Sequence, residues 1–107
     1  MSGDKTATIG SGNVYDDLGY DQPEEMQVKA EIVYRIAHSI EERGLTQEQA
    51  AAIMGLDQPK VSALLRGRFR GYSLDRLFRL LLALDNDVSI IIEPKSKDHG
   101  HLSVLAR

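Results

Sequence analysis

The stretch that decides the fold runs from Thr46 to Arg70 and reads TQEQAAAIMGLDQPKVSALLRGRFR. It contains two short apolar segments, each preceded by a residue suited to cap a helix and each followed by a glycine. Thr46 and Gln49 fit a capping box, in which each side chain accepts a hydrogen bond from the other residue's backbone N–H. Asp57 is placed to cap a second helix that has Pro59 in its first turn. The stretch therefore predicts two short helices separated by a tight turn.

Fixed spacing within this stretch predicts how the two helices cross. Counted from Gln47 as the first position, Ala51 lies four residues on, where a small side chain lets two helix backbones approach closely. Gly55 lies eight residues on, in the turn, where glycine adopts a positive φ easily. Val61 and Leu64 lie fourteen and seventeen residues on and are expected to face inward. This pattern is typical of a helix-turn-helix, and an ordinary αα-hairpin with an alanine-rich crossing is the alternative.

Helices are also predicted on both sides of the motif. The first opens at Asp21, has Pro23 in its first turn and runs to about Arg43, where Gly44 ends it. Its apolar stripe consists of Met26, Ala30, Val33, Ala37 and Ile40, widened by Ile32 and Ile36. The last helix begins after Ser73, and its stripe consists of Leu74, Leu77, Phe78, Leu81 and Leu84. We therefore expect an all-α domain of five helices or fewer over residues 21–94.

The residues after the last helix predict a short β-strand that pairs in a dimer. Residues 88–93 read VSIIIE, which is rich in β-branched side chains and is ended by Pro94. A lone strand leaves its backbone groups unpaired, and no second strand is evident in the chain. We therefore expect a homodimer whose pairing involves Val88, Ile90, Ile91 and Ile92. An apolar extension packed on the chain's own helices is the alternative.

The two ends of the chain lack a helical or strand pattern. Residues 1–20 are rich in glycine, serine and aspartate and are expected to form a mobile N-terminal segment. Residues 95–107 are first polar and then apolar, and they are expected to form a C-terminal tail that docks weakly or not at all.

The charge of the chain is segregated along its length. The 107 residues have a formal net charge of −3, to which residues 1–57 contribute −7, residues 58–79 +5 and residues 80–107 −1. Screening limits electrostatic interactions to about 8–10 Å at physiological salt, so a ligand at the basic segment experiences mainly that segment. The basic side chains there are Lys60, Arg66, Arg68, Arg70, Arg76 and Arg79.

Composition argues against several other classes of protein. The chain has no cysteine, which excludes disulfides and thiolate metal sites. No apolar run reaches the roughly 18 residues of a membrane span, and the N-terminus lacks a signal peptide's pattern, so we expect a cytoplasmic protein without a membrane partner. His99 and His101 are a poor metal site without further ligands, and His38 suits a surface or packing role. No phosphate-cradling glycine loop or nucleophile elbow is present, so we expect neither an enzyme nor a cofactor.

The outward face of the second motif helix carries the candidates for reading DNA bases. Helix-turn-helix proteins place the amino-terminal part of this helix in the major groove. Glutamine can pair bidentately with adenine N6 and N7, and lysine can reach guanine or phosphate, whereas proline offers only shape or apolar contact. The expected base contacts are Gln58, Pro59, Lys60 and Ser62. A solvated helix face is the alternative for each of them.

Residues on both sides of this helix are candidates for holding the DNA backbone. Phosphate contacts supply affinity and register rather than sequence specificity. The expected phosphate contacts are Gln47, Arg66, Arg68 and Arg70. Arg76 and Arg79 either flank the DNA or pair with Asp75 and other acidic groups.

The motif as a whole resembles the lambda-repressor-like, or XRE-type, helix-turn-helix. The segments that carry this resemblance are 46–51, 55–56, 58–62 and 65–67. Further segments look like those of the HigA-like antitoxin branch, namely 11–15, 17–19, 28–30, 73–77 and 88–90. Together the similarities span roughly residues 11–94.

The resemblance implies a bacterial autoregulator that binds a palindromic operator in double-stranded DNA as a homodimer. It also implies that the protein is the antitoxin of a type II toxin–antitoxin pair and holds a small RelE-like ribonuclease toxin inactive. Pro59 stands where many relatives carry a polar base-reading residue, so the operator sequence does not carry over. The alternatives are a stand-alone XRE-type regulator with no toxin partner and a toxin-neutralising module with little DNA binding.

Overall fold

The computed structural model of the chain describes residues 23–94 and 99–107. Within these ranges it contains four helices, which are α1 (Pro23–Glu42), α2 (Gln47–Met54), α3 (Gln58–Leu65) and α4 (Leu74–Ala83). The predicted all-α architecture is confirmed for this part of the chain. The predicted mobile segment 1–20 lies outside the described residues.

The predicted helix caps are present. Thr46 Oγ1 accepts a hydrogen bond from the backbone N–H of Gln49 at 3.0 Å, and Gln49 Oε1 accepts one from the N–H of Thr46 at 2.9 Å. Asp57 and Ser73 cap α3 and α4 by accepting from the backbone N–H three residues on, at 2.9 Å and 3.1 Å. A cap of this kind contributes about 1 kcal/mol, so the helix starts in the motif are determined locally.

The turn between α2 and α3 uses the left-handed conformation that glycine permits. Gly55 has a φ of 71°, and its N–H donates to the carbonyl oxygen of Ala51. Helix α1 ends in the same way, because Gly44 has a φ of 65°. Both predicted glycine roles are confirmed, and together they set the directions in which the chain leaves α1 and α2.

A core of aliphatic side chains lies where the four helices meet. Val61 and Leu64 of α3 are completely buried, as predicted, and Ala50 and Ala51 are buried where α2 crosses α3. The core comprises Val28, Ile32, Val33, Ile36, Ile40, Ala50, Ala51, Met54, Val61, Leu64, Leu77, Leu80, Leu81 and Leu84. Burial of one such valine, leucine or isoleucine side chain stabilises the fold by about 1.5–3 kcal/mol. The motif helices are therefore held by packing on α1 and α4.

The buried face of α1 differs from the predicted stripe. Ile32, Val33, Ile36 and Ile40 are buried as expected, whereas Ala30 is exposed and Met26 and Ala37 are only partly buried. The inward positions near the start of α1 are instead occupied by Val28 and Lys29. The buried face of α1 is therefore centred on its isoleucine and valine side chains, and Met26, Ala30 and Ala37 lie outside its centre.

The predicted strand at residues 88–93 does not form in the described chain, which has no strand in residues 23–94 or 99–107. Val88 is half-buried and packs on the core. By contrast, Ile90, Ile91 and Ile92 are 70%, 79% and 91% exposed. A strand requires a neighbouring backbone to complete its ladder, and the described part of the chain supplies none.

The polar turn after α4 ties that helix back to α1. Asn86 Nδ2 donates to Ser39 Oγ at 3.0 Å and to the carbonyl oxygen of Leu81 at 3.2 Å. Its Oδ1 accepts from Arg35 Nε at 3.1 Å. Asp85 precedes it with a φ of 66°, which aspartate tolerates better than most residues. The turn therefore connects both helices through one amide side chain.

The described part of the C-terminal tail returns to the start of α1. The backbone N–H of Leu102 donates to Glu24 Oε1 at 2.9 Å, and the His101 ring lies against the other carboxylate oxygen at 2.6 Å. Val104 packs against the edge of the core. The tail therefore docks on α1 through residues that the sequence pattern did not single out together.

Candidate nucleic-acid interface

Helix α3 turns one face into the core and leaves the other in solvent. Gln58, Pro59 and Lys60 are exposed, whereas Val61 and Leu64 have no exposed surface. The predicted division between inward and outward positions on α3 is therefore confirmed for these five residues, whereas Ser62, also predicted to face outward, is half-buried. The exposed residues lie in the first turn, which is the part that helix-turn-helix proteins direct at base edges.

Ser62 and Arg66 form a pair rather than two separate groups. Ser62 is half-buried, and its Oγ accepts a hydrogen bond from Arg66 Nη1 at 2.9 Å. The serine hydroxyl can still donate its own proton to an acceptor on DNA. The pairing orients the Arg66 guanidinium along the last turn of α3, a relationship that sequence spacing did not reveal.

The loop between α3 and α4 carries exposed arginines on either side of an anchored aromatic ring. Arg68 and Arg70 are exposed, whereas Phe69 between them is partly buried against the core. Gly67 has a φ of 96°, so the loop leaves α3 through a backbone conformation that favours glycine. Anchoring of Phe69 directs its two neighbours to the surface.

A buried lysine also holds this loop. Lys29 of α1 has a side chain only 5% exposed, and it pairs with Glu25 at 3.4 Å. Its Nζ donates to the carbonyl oxygen of Arg70 at 3.4 Å. Sequence reasoning missed this residue. The available signal was a lysine between Val28 and Ile32 on an otherwise apolar face.

The two arginines of α4 have different surroundings. Arg79 pairs with Asp75 at 3.1 Å, which is one of the two predicted alternatives. Both side chains are about three-quarters exposed, and such surface pairs contribute little to stability. Arg76 instead lies over the ring of Tyr72, with 4.8 Å between the guanidinium carbon and the ring centroid. The sequence pattern did not indicate this stacking.

A surface cleft of about 330 Å³ lies between α3, the following loop and the start of α4. Its lining consists of Lys60, Ala63, Arg68, Gly71, Tyr72 and Arg76. Three of these side chains are cationic. Gln47, the remaining candidate phosphate contact, is exposed at the first position of α2.

Neither membrane insertion nor metal binding finds support in the described residues. None of the helices in 23–94 is both long and apolar enough to cross a membrane. The same ranges, with 99–107, contain no group of three histidine or carboxylate side chains that could hold a metal ion.

Comparison with known proteins establishes the class to which the chain belongs. The family described as "Helix-turn-helix domain" matches residues 14–93, so the chain belongs to that family. Among solved structures, a "Putative XRE Family Transcriptional Regulator" is 43% identical and superposes with a TM-score of 0.73. The match covers 78% of this chain and 97% of that protein. The chain is therefore an XRE-type helix-turn-helix protein. No curated protein matches it significantly.

Proposed function

We propose that this protein is a sequence-specific DNA-binding transcriptional repressor. The observation that carries the proposal is the geometry of α3, which buries Val61 and Leu64 completely and exposes Gln58, Pro59 and Lys60 together. The family of the chain and its similarity to an XRE family regulator support it. The protein needs no cofactor in this role, performs no catalysis and works in the cytoplasm, where the DNA is.

In the proposed complex, α3 lies in the major groove and the surrounding residues hold the backbone. Gln58 pairs with an adenine, and Ser62 contributes a hydroxyl near the groove edge. The phosphate contacts come from Gln47, Arg66, Arg68 and Arg70. Since residues 58–79 have a net charge of +5, binding releases counterions and weakens steeply with salt.

The proposed binding unit is a homodimer on a palindromic operator. Ile90, Ile91 and Ile92 are three consecutive large apolar side chains that the described chain leaves largely exposed. Pairing of residues 88–93 with the same segment of a second copy would complete the backbone hydrogen bonds and cover these side chains. Two α3 helices would then meet half-sites about one helical turn, 34–36 Å, apart.

A second role, as the antitoxin of a type II pair, is a further proposal. It rests on the resemblance of the flanking segments to the HigA-like branch. The acidic charge of residues 1–57, −7 in total, would suit a basic RelE-like ribonuclease. On α1, Tyr34 is 76% exposed and could contribute to such an interface. A regulator with no toxin partner is the alternative.

A fluorescence-anisotropy titration tests DNA binding directly. The probe is a duplex from upstream of the chain's own coding region, with a scrambled duplex as competitor. We expect the protein to prefer the upstream duplex. Gln58→Ala should reduce this preference, whereas Arg66→Ala should weaken binding to both duplexes. Arg79→Ala is the matched control, because Arg79 already pairs with Asp75. Equal affinity for both duplexes, or indifference to salt and to Arg66→Ala, would contradict the proposal.

Two observations test the antitoxin role separately. The first is whether the adjacent gene encodes a small basic ribonuclease-like protein. The second is whether co-expression of this chain restores growth to cells that produce that protein. Growth rescue by an Arg66→Ala variant, whose DNA binding is weakened, would separate the two roles. Absence of both the neighbour and the rescue would leave the regulator alone.

A further inference from the structure

The cleft beside α3 brings together three cationic side chains that the proposed base and backbone contacts treat separately or leave out. Lys60, Arg68 and Arg76 all line it, although they come from α3, the following loop and α4 respectively. The sequence predicts Lys60 as a base contact that can also reach phosphate, and it leaves Arg76 without a definite role. The fold brings the three charges to one open surface cleft of about 330 Å³.

These charges are not neutralised within the described part of the chain. The ion pairs among residues 23–94 and 99–107 involve none of Lys60, Arg68 and Arg76. Asp75 is the sole acidic residue in segment 58–79, and it pairs with Arg79 instead. Like charges gathered around one cleft repel each other, so an anion in the cleft would relieve an unfavourable arrangement.

Arg76 is held in place by an aromatic ring. Its guanidinium lies 4.8 Å from the centroid of the Tyr72 ring, within the distance of about 6 Å at which cation–π attraction operates. Stacking restricts the rotamers of a long side chain, which reduces the entropy lost when the guanidinium binds a ligand. The stacked face leaves the in-plane N–H groups available, and these groups match the oxygens of a phosphate.

We propose that this cleft binds one phosphate group of the DNA backbone through Lys60, Arg68 and Arg76, with Tyr72 positioning Arg76. This inference rests on the proposed DNA-binding function and changes the role of Lys60 from a base contact to a phosphate contact. Because Lys60 also belongs to the first turn of α3, the phosphate belongs to a strand bordering the groove that α3 occupies. A DNA phosphate and a free phosphate ion present the same tetrahedral oxyanion to the cleft, so a free phosphate ion is the alternative ligand.

Salt dependence of DNA binding measures the number of phosphates contacted. The logarithm of the binding constant falls against the logarithm of salt with a slope of about −0.9 per phosphate neutralised. We expect Arg76→Ala to make the slope shallower by up to about 0.9, the value for complete loss of this one phosphate contact. The loss of affinity relative to wild type then shrinks by up to roughly 3.5-fold between 50 and 200 mM salt. Tyr72→Leu should weaken DNA binding as Arg76→Ala does, because it removes the ring on which Arg76 stacks. Tyr72→Phe keeps the ring and should behave like wild type.

Arg79→Ala is the matched control, since it removes an arginine from the same helix one turn away. We expect it to leave the slope unchanged because Arg79 pairs with Asp75. Circular dichroism melting of each variant shows whether it folds. If Arg76→Ala does not fold, Arg76→Gln keeps the polar side chain and removes only the charge.

A duplex carrying one neutral methylphosphonate locates the phosphate. At the contacted position, the substitution should weaken Arg76→Ala less than it weakens the wild-type protein, so the two losses are not additive. A parallel titration of the free protein with inorganic phosphate, followed by NMR of the arginine side chains, tests the alternative ligand.

The outcomes separate the two proposals. If the wild-type protein binds no DNA, the proposed function fails. If it binds DNA with a slope that Arg76→Ala leaves unchanged, the cleft proposal alone is overturned. The same holds if inorganic phosphate occupies the cleft while every methylphosphonate position remains additive with Arg76→Ala.

Discussion

Lys29, buried in α1, donates a hydrogen bond to the carbonyl oxygen of Arg70, which lies 3.4 Å away and 41 residues further along the chain. The same ammonium group pairs with Glu25 at 3.4 Å. The two contacts connect the first helix to the loop that carries the proposed phosphate contacts. A charged side chain so deeply buried requires partners, because desolvation otherwise disfavours its charged form.

Removal of Lys29 and removal of Glu25 should affect the stability of the protein differently. We expect Lys29→Met to change the free energy of unfolding by less than about 1 kcal/mol, because the Glu25 side chain is 34% exposed and water can solvate its carboxylate once the lysine is gone. It should nevertheless speed amide exchange in the α3–α4 loop and weaken DNA binding. Glu25→Ala leaves the ammonium buried with only the carbonyl acceptor, so it should destabilise the protein more than Lys29→Met does. Thermal unfolding and hydrogen exchange measure both effects, and the reverse order would contradict this account.

Ser62 and Arg66 should act as one unit in DNA binding. Because Ser62 Oγ accepts from Arg66 Nη1, Ser62→Ala releases the guanidinium without removing its charge. We therefore expect Ser62→Ala to weaken binding less than Arg66→Ala does. The double variant should lose less affinity than the sum of the two single losses, because the part of the Ser62 contribution that orients Arg66 disappears with Arg66. Anisotropy titrations on one duplex complete this cycle, and fully additive losses would show that the two residues act independently.

Gly55 should tolerate a methyl group sterically but not conformationally. No atom lies within 4 Å of a Cβ built at Gly55, yet its φ is 71°. We expect Gly55→Ala to destabilise the fold by about 1–2 kcal/mol, the penalty for an L-residue in the left-handed region. Gly71→Ala is the control, since its Cβ also meets no atom within 4 Å and its φ lies outside that region. Chemical denaturation measures both variants, and equal effects would contradict the conformational explanation.

Docking of the tail on α1 should weaken in acid. The hydrogen bond with His101, and then that from the backbone N–H of Leu102, lower the pKa of Glu24 below its ordinary value. Because the folded-state pKa is lowered, the contribution of Glu24 to docking of the tail is complete above the ordinary glutamate pKa of about 4.3. This contribution is lost as the pH falls through the lowered pKa. The charges of His101 and His99 act in the same direction.

NMR of the Leu102 amide measures this transition. We expect its resonance to move towards that of a free tail as the pH falls below about 4.3, with the midpoint under the ordinary glutamate value. Glu24→Ala, which removes both acceptor oxygens, should show the undocked resonance at neutral pH. A Leu102 resonance that is the same in Glu24→Ala and in wild type would show that Glu24 does not hold the tail.

The exposed isoleucines should determine the oligomeric state. If residues 88–93 pair with a second copy, Ile90→Pro removes a backbone donor from the ladder, so monomers should appear in light scattering. Ile90→Val keeps both the donor and the β-branched side chain and should remain dimeric. Loss of the dimer should also weaken operator binding, because each half-site then binds alone. A dimer that survives Ile90→Pro would place the interface elsewhere.

Features determined by neighbouring residues could be predicted from the sequence. The capping box of Thr46 and Gln49 and the left-handed turn at Gly55 involve groups only a few residues apart, so their chemistry is visible in the chain order. The inward positions Val61 and Leu64 follow from helical periodicity and the spacing of the motif. The strand prediction failed for the described chain because a strand depends on a partner that local composition cannot supply.

By itself, then, the sequence determined the helix-turn-helix, its caps, its exposed first turn and the basic charge that follows it. Only the tertiary structure decided which residues far apart in the chain work together. It brought Lys29 into contact with the α3–α4 loop and the tail into contact with Glu24. It also brought Lys60, Arg68 and Arg76 to one cleft. The physical reason is that caps and turns are stabilised by local hydrogen bonds. Burial and the convergence of charge depend instead on how whole helices pack, and this packing joins groups up to 78 residues apart.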